Sequence, residues 1–246
     1  MPSPAGLWRG IPRIQIAGIK NVEEAALSTA AGADGIGLLL ALDYPRDDAI
    51  TPNTAMEIVR SLPKDICSVL ITHSIDVGEI VRLARLTGVS AVQIHTDPAL
   101  EISCSALSSI RSALPDTGII KVLHIPARGE ETPPVSLPKE VAGLVDALIL
   151  DSQAVEVIDG QTYKTLGGTG RLNDWGVAVG IVAAVAPLPV LHAGGLNPDN
   201  VFDAIRRINP YGVDVNSGVR KEGSCEKDPA RVGTFVRQAK AAFAKT

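Results

Sequence analysis

The feature that most constrains this chain is an alternation. A short apolar run, a turn and an amphipathic stretch follow one another eight times without a break. The apolar runs cover residues 13–17, 33–40, 66–72, 91–95, 119–125, 145–150, 189–193 and 212–216. The helical stretches are marked by their ends. Asn21 and Gly32 bracket a helix over 22–31, Thr51-Pro52 opens one that runs to about Leu62, and Gly88 stops the helix over 75–87. A fourth starts at Pro98 and ends near Leu114, and others cover 174–186, 200–208 and 228–244. The fifth unit has only a short helix, because the proline-rich stretch 126–138 reads as a loop. Strands that are apolar on both faces belong to a parallel sheet covered by helices, and eight such units close into a (β/α)8 TIM barrel, an α/β fold. A doubly wound open sheet is the competing architecture, but the first strand-to-helix turn lacks its G-x-G-x-x-G pattern. No linker interrupts the series, so residues 1–246 read as a single domain.

The last two units carry the most specific turns. His192-Ala193-Gly194-Gly195-Leu196-Asn197-Pro198 and Asp214-Val215-Asn216-Ser217-Gly218-Val219 each read as a strand end, a tight turn and a helix start. Such turns expose backbone N–H groups, and a helix N-terminus adds its positive dipole end, so the pair side by side cradles an anion, phosphate above all. No Lys or Arg lies between Ala193 and Val201, which leaves the holding to backbone donors. One such turn alone is also what a compact loop looks like. Two in succession after strands seven and eight match the phosphate position of a barrel, which makes Gly194, Gly195, Ser217 and Gly218 candidates for substrate binding. Gly168, in Gly167-Gly168-Thr169-Gly170-Arg171, joins them. It lies in the stretch 152–173, which reads as a long glycine-rich loop, either a lid or a source of further phosphate donors.

Composition narrows the partner. A net charge of −4 without a dense Lys/Arg run argues against nucleic acid and anionic membranes, and 3% aromatic content argues against base stacking. A phosphorylated small molecule is the expected ligand, bound by a monomer or a homodimer. The apolar stretches are broken or too short to span a bilayer and the N-terminus has no signal-peptide core, so a cytoplasmic protein is expected. Cys67, Cys104 and Cys225 are odd in number and far apart, which fits reduced thiols rather than disulfides or a zinc knuckle. No cofactor is expected.

In a barrel of this kind chemistry sits at the C-terminal ends of the strands, where this chain places Ala17, His73, His95, His124, Asp151, His192, Asp214 and Asn216. All four histidines of the chain fall at or close to that face, which suggests proton transfer, anion contact or a metal, although any one of them reads equally as a packed loop residue. His95 is the best candidate among them, because Ala91, Gln93 and His95 share a face and Gln93 is too polar to point at helices. Asp151 ends the inward run Ala147, Ile149, Asp151. A carboxyl at the mouth of an apolar barrel tends to keep its proton, as a general acid must, while a helix cap or an ion-pair partner is the plainer role. Asp214 and Asn216 either orient substrate hydroxyls or brace their loop. Arg46, in Tyr44-Pro45-Arg46, either forks onto a carboxylate or is a solvated charge.

Together these residues resemble phosphoribosylanthranilate isomerase, a tryptophan-biosynthesis barrel that performs an Amadori aldose–ketose isomerisation. The resemblance runs along nearly the whole chain through Ile16-Ala17-Gly18-Ile19, Gly32-Ala33-Asp34-Gly35-Ile36-Gly37, Pro45-Arg46, Val92-Gln93-Ile94-His95, Leu150-Asp151-Ser152, Gly167-Gly168-Thr169-Gly170 with Asp174-Trp175, and the two turns of the last quarter. It implies that Asp151 is the general acid, that Arg46 faces the anthranilate carboxylate, and that the glycine turns around Gly168, Gly195 and Gly218 hold the phosphate. The departure lies at strand one. The family writes Lys-Ile-Cys-Gly-Ile there, with the thiol as general base, and this chain writes Gln15-Ile16-Ala17-Gly18-Ile19; likewise Asn216-Ser217-Gly218-Val219-Arg220 stands where the family has Ser-Ser-Gly-Val-Glu. A methyl group accepts no proton. Two other readings therefore stay open, a ligand-binding barrel without isomerase activity and a metal-dependent enzyme that uses the mouth histidines.

Overall fold

The computed structural model describes residues 11–96, 102–125, 139–158, 161–166 and 174–245. Nine strands follow in chain order: β1 (Ile14–Ile16), β2 (Gly35–Leu39), β3 (Cys67–Thr72), β4 (Ala91–Ile94), β5 (Gly118–Ile125), β6 (Ala147–Ile158), β7 (Gln161–Leu166), β8 (Val190–His192) and β9 (Gly212–Val215). All but β7 pair in parallel with their neighbours, and the ring is shut by the β5–β6 and β1–β9 pairings, the latter in the register Ile14↔Val213 and Gln15↔Asp214. A closed ring excludes the open-sheet alternative.

The helices are α1 (Val22–Ala31), α2 (Pro52–Ser61), α3 (Val77–Thr87), α4 (Cys104–Ala113), α5 (Lys139–Ala142), α6 (Trp175–Val185), α7 (Val201–Ile208) and α8 (Pro229–Phe243). Local chemistry sets their ends. The Asn21 side chain accepts from the Glu24 N–H and Gly32 closes α1 at φ 97°, a conformation that a side chain would resist. Asp174 caps α6 through the N–H groups of Gly176 and Val177. The fourth helix begins later than the proline suggested, at Cys104, because Ser103 accepts from the Ala106 N–H and is the stronger start signal. The stretch 126–138 lies outside the described residues.

The largest departure from expectation concerns 152–173. The sixth strand does not stop at the barrel mouth but runs on to Ile158, and β7 returns antiparallel to it, from Gln153↔Leu166 to Ile158↔Gln161. A hairpin stands where an irregular loop was expected. Its sequence explains it: Val155, Val157, Ile158, Thr162, Tyr163 and Thr165 are β-branched or aromatic residues that favour extended pairing.

Strand alternation divides the interior into two layers. Ile16, Ile36, Leu38, Leu70, Leu148, Leu150 and Val213 face the helices, where Phe235 of α8 is fully buried. Ala17, Leu39, Val69, Ile71, Ala91, Ile120, Val122, Ala147, Ile149, Leu191 and Ala193 fill the barrel. The alternation moves one histidine. Leu191 and Ala193 point inward, so His192 between them points into the helix layer, fully buried and with neither ring nitrogen hydrogen-bonded among the described residues. Burial pushes its pKa down to about 3, so it is neutral there. It ends its strand at the mouth without belonging to the mouth.

Candidate active site

At the C-terminal ends of the strands a cavity opens, lined by Ala17, Arg46, His73, Gln93, His95, Asp151, Asp214 and Asn216. Its floor is polar. The Gln15 amide donates to the Gln93 side chain at 3.0 Å in the barrel interior, so the side of β4 that carries Gln93 and His95 faces inward as its alternation predicts.

Asp151 sits on β6 opposite His124 of β5. It is 5% exposed; Oδ1 accepts the Ser152 N–H at 2.7 Å, and Oδ2 lies 3.5 Å from His95 Nε2, beyond hydrogen-bonding distance. Burial and the nearby Asp214 charge push the Asp151 pKa up to about 7, while the Ser152 N–H and Arg46 pull it back. His95 is packed between the rings of His73 and His124, with centroids 6.0 and 5.3 Å away, and burial and these neighbours hold its pKa well below the ordinary imidazole value. It is a neutral imidazole beside a carboxyl able to hold a proton. His124 Nε2 donates to the Thr96 carbonyl at 3.0 Å, and His73 Nδ1 pairs with Asp43. Among the described residues, no three His, Cys, Asp or Glu side chains converge as metal ligands.

Asp214, on β9, is 7% exposed, and its Oδ1 has no hydrogen-bond partner among the described residues. Burial raises its pKa to about 7 against the opposing pull of the Gln15 amide and Lys227. Arg46 reaches the cavity but is already engaged: Nε and Nη2 fork onto Asp48 at 2.8 and 3.0 Å. Asp48, 1% exposed, also accepts from Asn216 Nδ2 at 2.8 Å and from Arg220. Burial alone would raise the Asp48 carboxyl, but Arg46, Asn216 and Arg220 hold it well below the usual carboxylate range. Lys227 Nζ donates to the Asn216 side chain at 2.8 Å, and burial together with Arg220 lowers its pKa to about 7. Sequence reasoning missed Asp48 and Lys227. An Asp two residues from Arg46 was the available sign for the first; nothing local marks the second.

The two glycine turns follow β8 and β9 at the same mouth. Gly194 and Gly195 have φ of 82° and 70°, conformations that favour glycine. Ser217–Val219 form a single 3-10 turn, and α8 begins only at Pro229. The second turn therefore does not enter its helix directly, contrary to the expected strand, turn and helix. The turns touch each other: a Cβ on Gly218 would lie 1.9 Å from the Leu196 carbonyl oxygen, so only glycine fits. Asn200 Nδ2 holds the Gly195 carbonyl at 2.9 Å, and Arg231 Nη2 holds that of Gly218, also at 2.9 Å.

With this arrangement in view, the relatives are informative. A sequence model of N-(5'-phosphoribosyl)anthranilate isomerase matches residues 14–238. The chain belongs to the phosphoribosylanthranilate isomerase family. It is 40% identical over 233 residues to N-(5'-phosphoribosyl)anthranilate isomerase 2 of Methanosarcina mazei, covering 95% of this chain and 96% of that one. The structure of the isomerase from Pyrococcus furiosus superimposes with a TM-score of 0.67 at 26% identity, covering 93% and 98% of the two chains. A further isomerase structure, in complex with reduced 1-(o-carboxyphenylamino)-1-deoxyribulose 5-phosphate, shares the fold at 24% identity and a TM-score of 0.64, covering 94% and 100%. Of the site residues picked from sequence, Asp151, His95, Arg46 and Asp214 share the cavity, and Gly194, Gly195, Ser217 and Gly218 form the two turns at the same mouth. Gly168 lies outside the described residues.

Proposed function

We propose that this chain takes the phosphoribosylamine of anthranilate as substrate and rearranges it to the 1-deoxyribulose form, with Asp151 as the general acid that protonates the ring oxygen. The observation that carries this reading is the Asp151 carboxyl, 5% exposed in the lining of the cavity, where burial pushes its pKa up to about 7 and so favours the protonated form that an acid needs. Family membership and the phosphorylated ligand of the related structure support the same substrate class. The phosphate goes to the touching turns at Gly194-Gly195 and Ser217-Gly218, and the anthranilate carboxylate goes toward Arg46. His95 stands beside the acid as the second catalytic candidate, with Nε2 at 3.5 Å from Asp151 Oδ2. A second reading, ligand binding without turnover, rests on the methyl group of Ala17 at the position where the resemblance implies a thiol.

The experiment is a steady-state assay of ketose formation across pH with purified protein. A raised carboxyl acts as an acid below its pKa, so kcat should fall about tenfold per pH unit once the pH passes well above 7. A rate that is flat from pH 7 to 9 removes Asp151 from the acid role. Binding of the reduced deoxyribulose phosphate without any turnover establishes the second reading.

A further inference from the structure

We propose that Asp214 replaces the absent thiol as the base that removes the C2 proton of the substrate. This inference rests on the isomerase reading above.

Three observations place it. Asp214 is in register with Gln15, and the Ala17 N–H donates to the carbonyl of Val215 at 2.9 Å, so the carboxylate stands on the strand next to the vacated thiol position. The register Leu150↔His192 and His192↔Val213 puts Asp151, Ala193 and Asp214 at one level, one residue further along each strand. The two carboxyls thus face one cavity with only the small Ala193 on the strand between them. Finally, Asp214 Oδ1 is buried without a hydrogen-bond partner among the described residues, a costly state that leaves this oxygen free to accept a proton from a substrate in the cavity. Two other polar groups that line the cavity are less well placed for the C2 proton. Asn216 is held by Asp48, Arg220 and Lys227, and His95 stands on the acid's side.

The charge state agrees with the geometry. Burial pushes both carboxyls up, and the charge on Asp214 raises Asp151 further, so an ionised Asp214 favours a proton on Asp151. Asp151 gives its proton to the ring oxygen as the C1–O bond breaks and the anilino nitrogen and C1 form an iminium. Asp214 takes the proton from C2; the C–H pair becomes the C1–C2 double bond and the iminium π pair returns to nitrogen, giving an enolamine. The enolamine ketonises by gaining a proton at C1 and losing one from the C2 hydroxyl. Delivery from Asp214 to C1 and return of the hydroxyl proton to Asp151 restores both groups.

The test measures kcat on phosphoribosylanthranilate and calorimetric Kd for the reduced 1-(o-carboxyphenylamino)-1-deoxyribulose 5-phosphate, in the wild type, Asp214→Asn and the double variant Asp214→Asn/Ala17→Cys. The expected result is a kcat about 10²–10⁴-fold lower in Asp214→Asn with Kd within about threefold, and recovery of at least about tenfold when the thiol is restored. If Asp214→Asn fails to bind the reduced ligand, Asp214→Glu replaces it, with a loss of at least about tenfold expected from the displaced carboxylate. A variant that binds the ligand and keeps wild-type kcat, in a wild type that turns over, overturns Asp214 alone. A wild type that binds the ligand yet neither forms product nor exchanges C2 deuterium with solvent overturns the isomerase reading, and the base with it.

Discussion

The two ends of the cavity are built from different materials. One end is backbone: Gly194 and Gly195 at positive φ, and Gly218 against the Leu196 carbonyl. The other is charge: Asp151, Asp214, Arg46, Asp48, Arg220 and Lys227 within a few side chains of one another. The positions at which the sequence reading expects a departure from the family pattern fall on the charged side. Gln15 and Ala17 flank Asp214, and Asn216 and Arg220 both bind Asp48. Between Ala193 and Pro198 the sequence reading expects no departure. A site made of turns depends on space and φ, which only glycine supplies, whereas a site made of charges can be reassembled around a new partner, provided each buried ion keeps one.

The sharpest way to break this contrast is at Asp151. Asp151→Asn removes the transferable proton while keeping the shape, and kcat should fall about 10²–10⁴-fold, or roughly 3–5 kcal/mol of transition-state stabilisation, with ligand affinity nearly unchanged. An equal loss of affinity, read by calorimetry, would mean that the two ends do not act separately. Next in size is Gly218→Ala. Its Cβ would overlap the Leu196 oxygen at 1.9 Å and force the turns apart, so the variant should lose about 2–3 kcal/mol in urea denaturation and at least about tenfold in affinity for inorganic phosphate. Undiminished phosphate binding would show that the touching turns do not form the anion site.

The smallest effect on the site is expected at His192, the one ionisable side chain in the run that leads to the first turn. Its ring points away from the cavity, so His192→Leu should leave phosphate affinity unchanged. Its folded pKa of about 3 lies below the ordinary 6.5, so the unfolded chain binds more protons between these values. The stability tied to His192 is complete above pH 6.5 and declines by about 1.4 kcal/mol per pH unit as the pH falls toward 3. Denaturation of His192→Leu at pH 7 and pH 5 should therefore show a shallower acid loss, with stability at pH 7 equal to or about 1–2 kcal/mol above the wild type, because two buried ring nitrogens without a partner among the described residues leave the core.

Much of this was legible because it is local. Asn21, Gly32, Thr51, Pro52 and Gly88 act on the turn of backbone beside them, and the helix ends follow. Asp151, His95 and Asp214 were legible because strand alternation and strand ends suffice to place them at one mouth. The hairpin was hidden by the glycines after it, although Asp159-Gly160 between two β-branched runs is the dipeptide that two-residue hairpin turns favour. His192 was misplaced because nearness to a strand end was given more weight than the inward faces of Leu191 and Ala193. The engagement of Arg46 with Asp48 was local and was passed over. The Arg220 and Lys227 contacts were not legible at all, since no pattern along a chain encodes which loops meet across a closed ring.

That ring gives Asp48 a history as well as a place. Its partner Arg46 is two residues away, whereas Asn216 and Arg220 come 168 and 172 residues later. On a chain made from its N-terminus, the near half of this clasp is available early, and the far half only after β9 has docked beside β1. Contacts of such long separation form late, after the loops between them have closed. Asp48 thus ties the second strand-to-helix loop to the last one: its carboxylate can hold Asn216 and Arg220 only where β9 lies beside β1, so the charge arrangement of the cavity mouth depends on the closed ring.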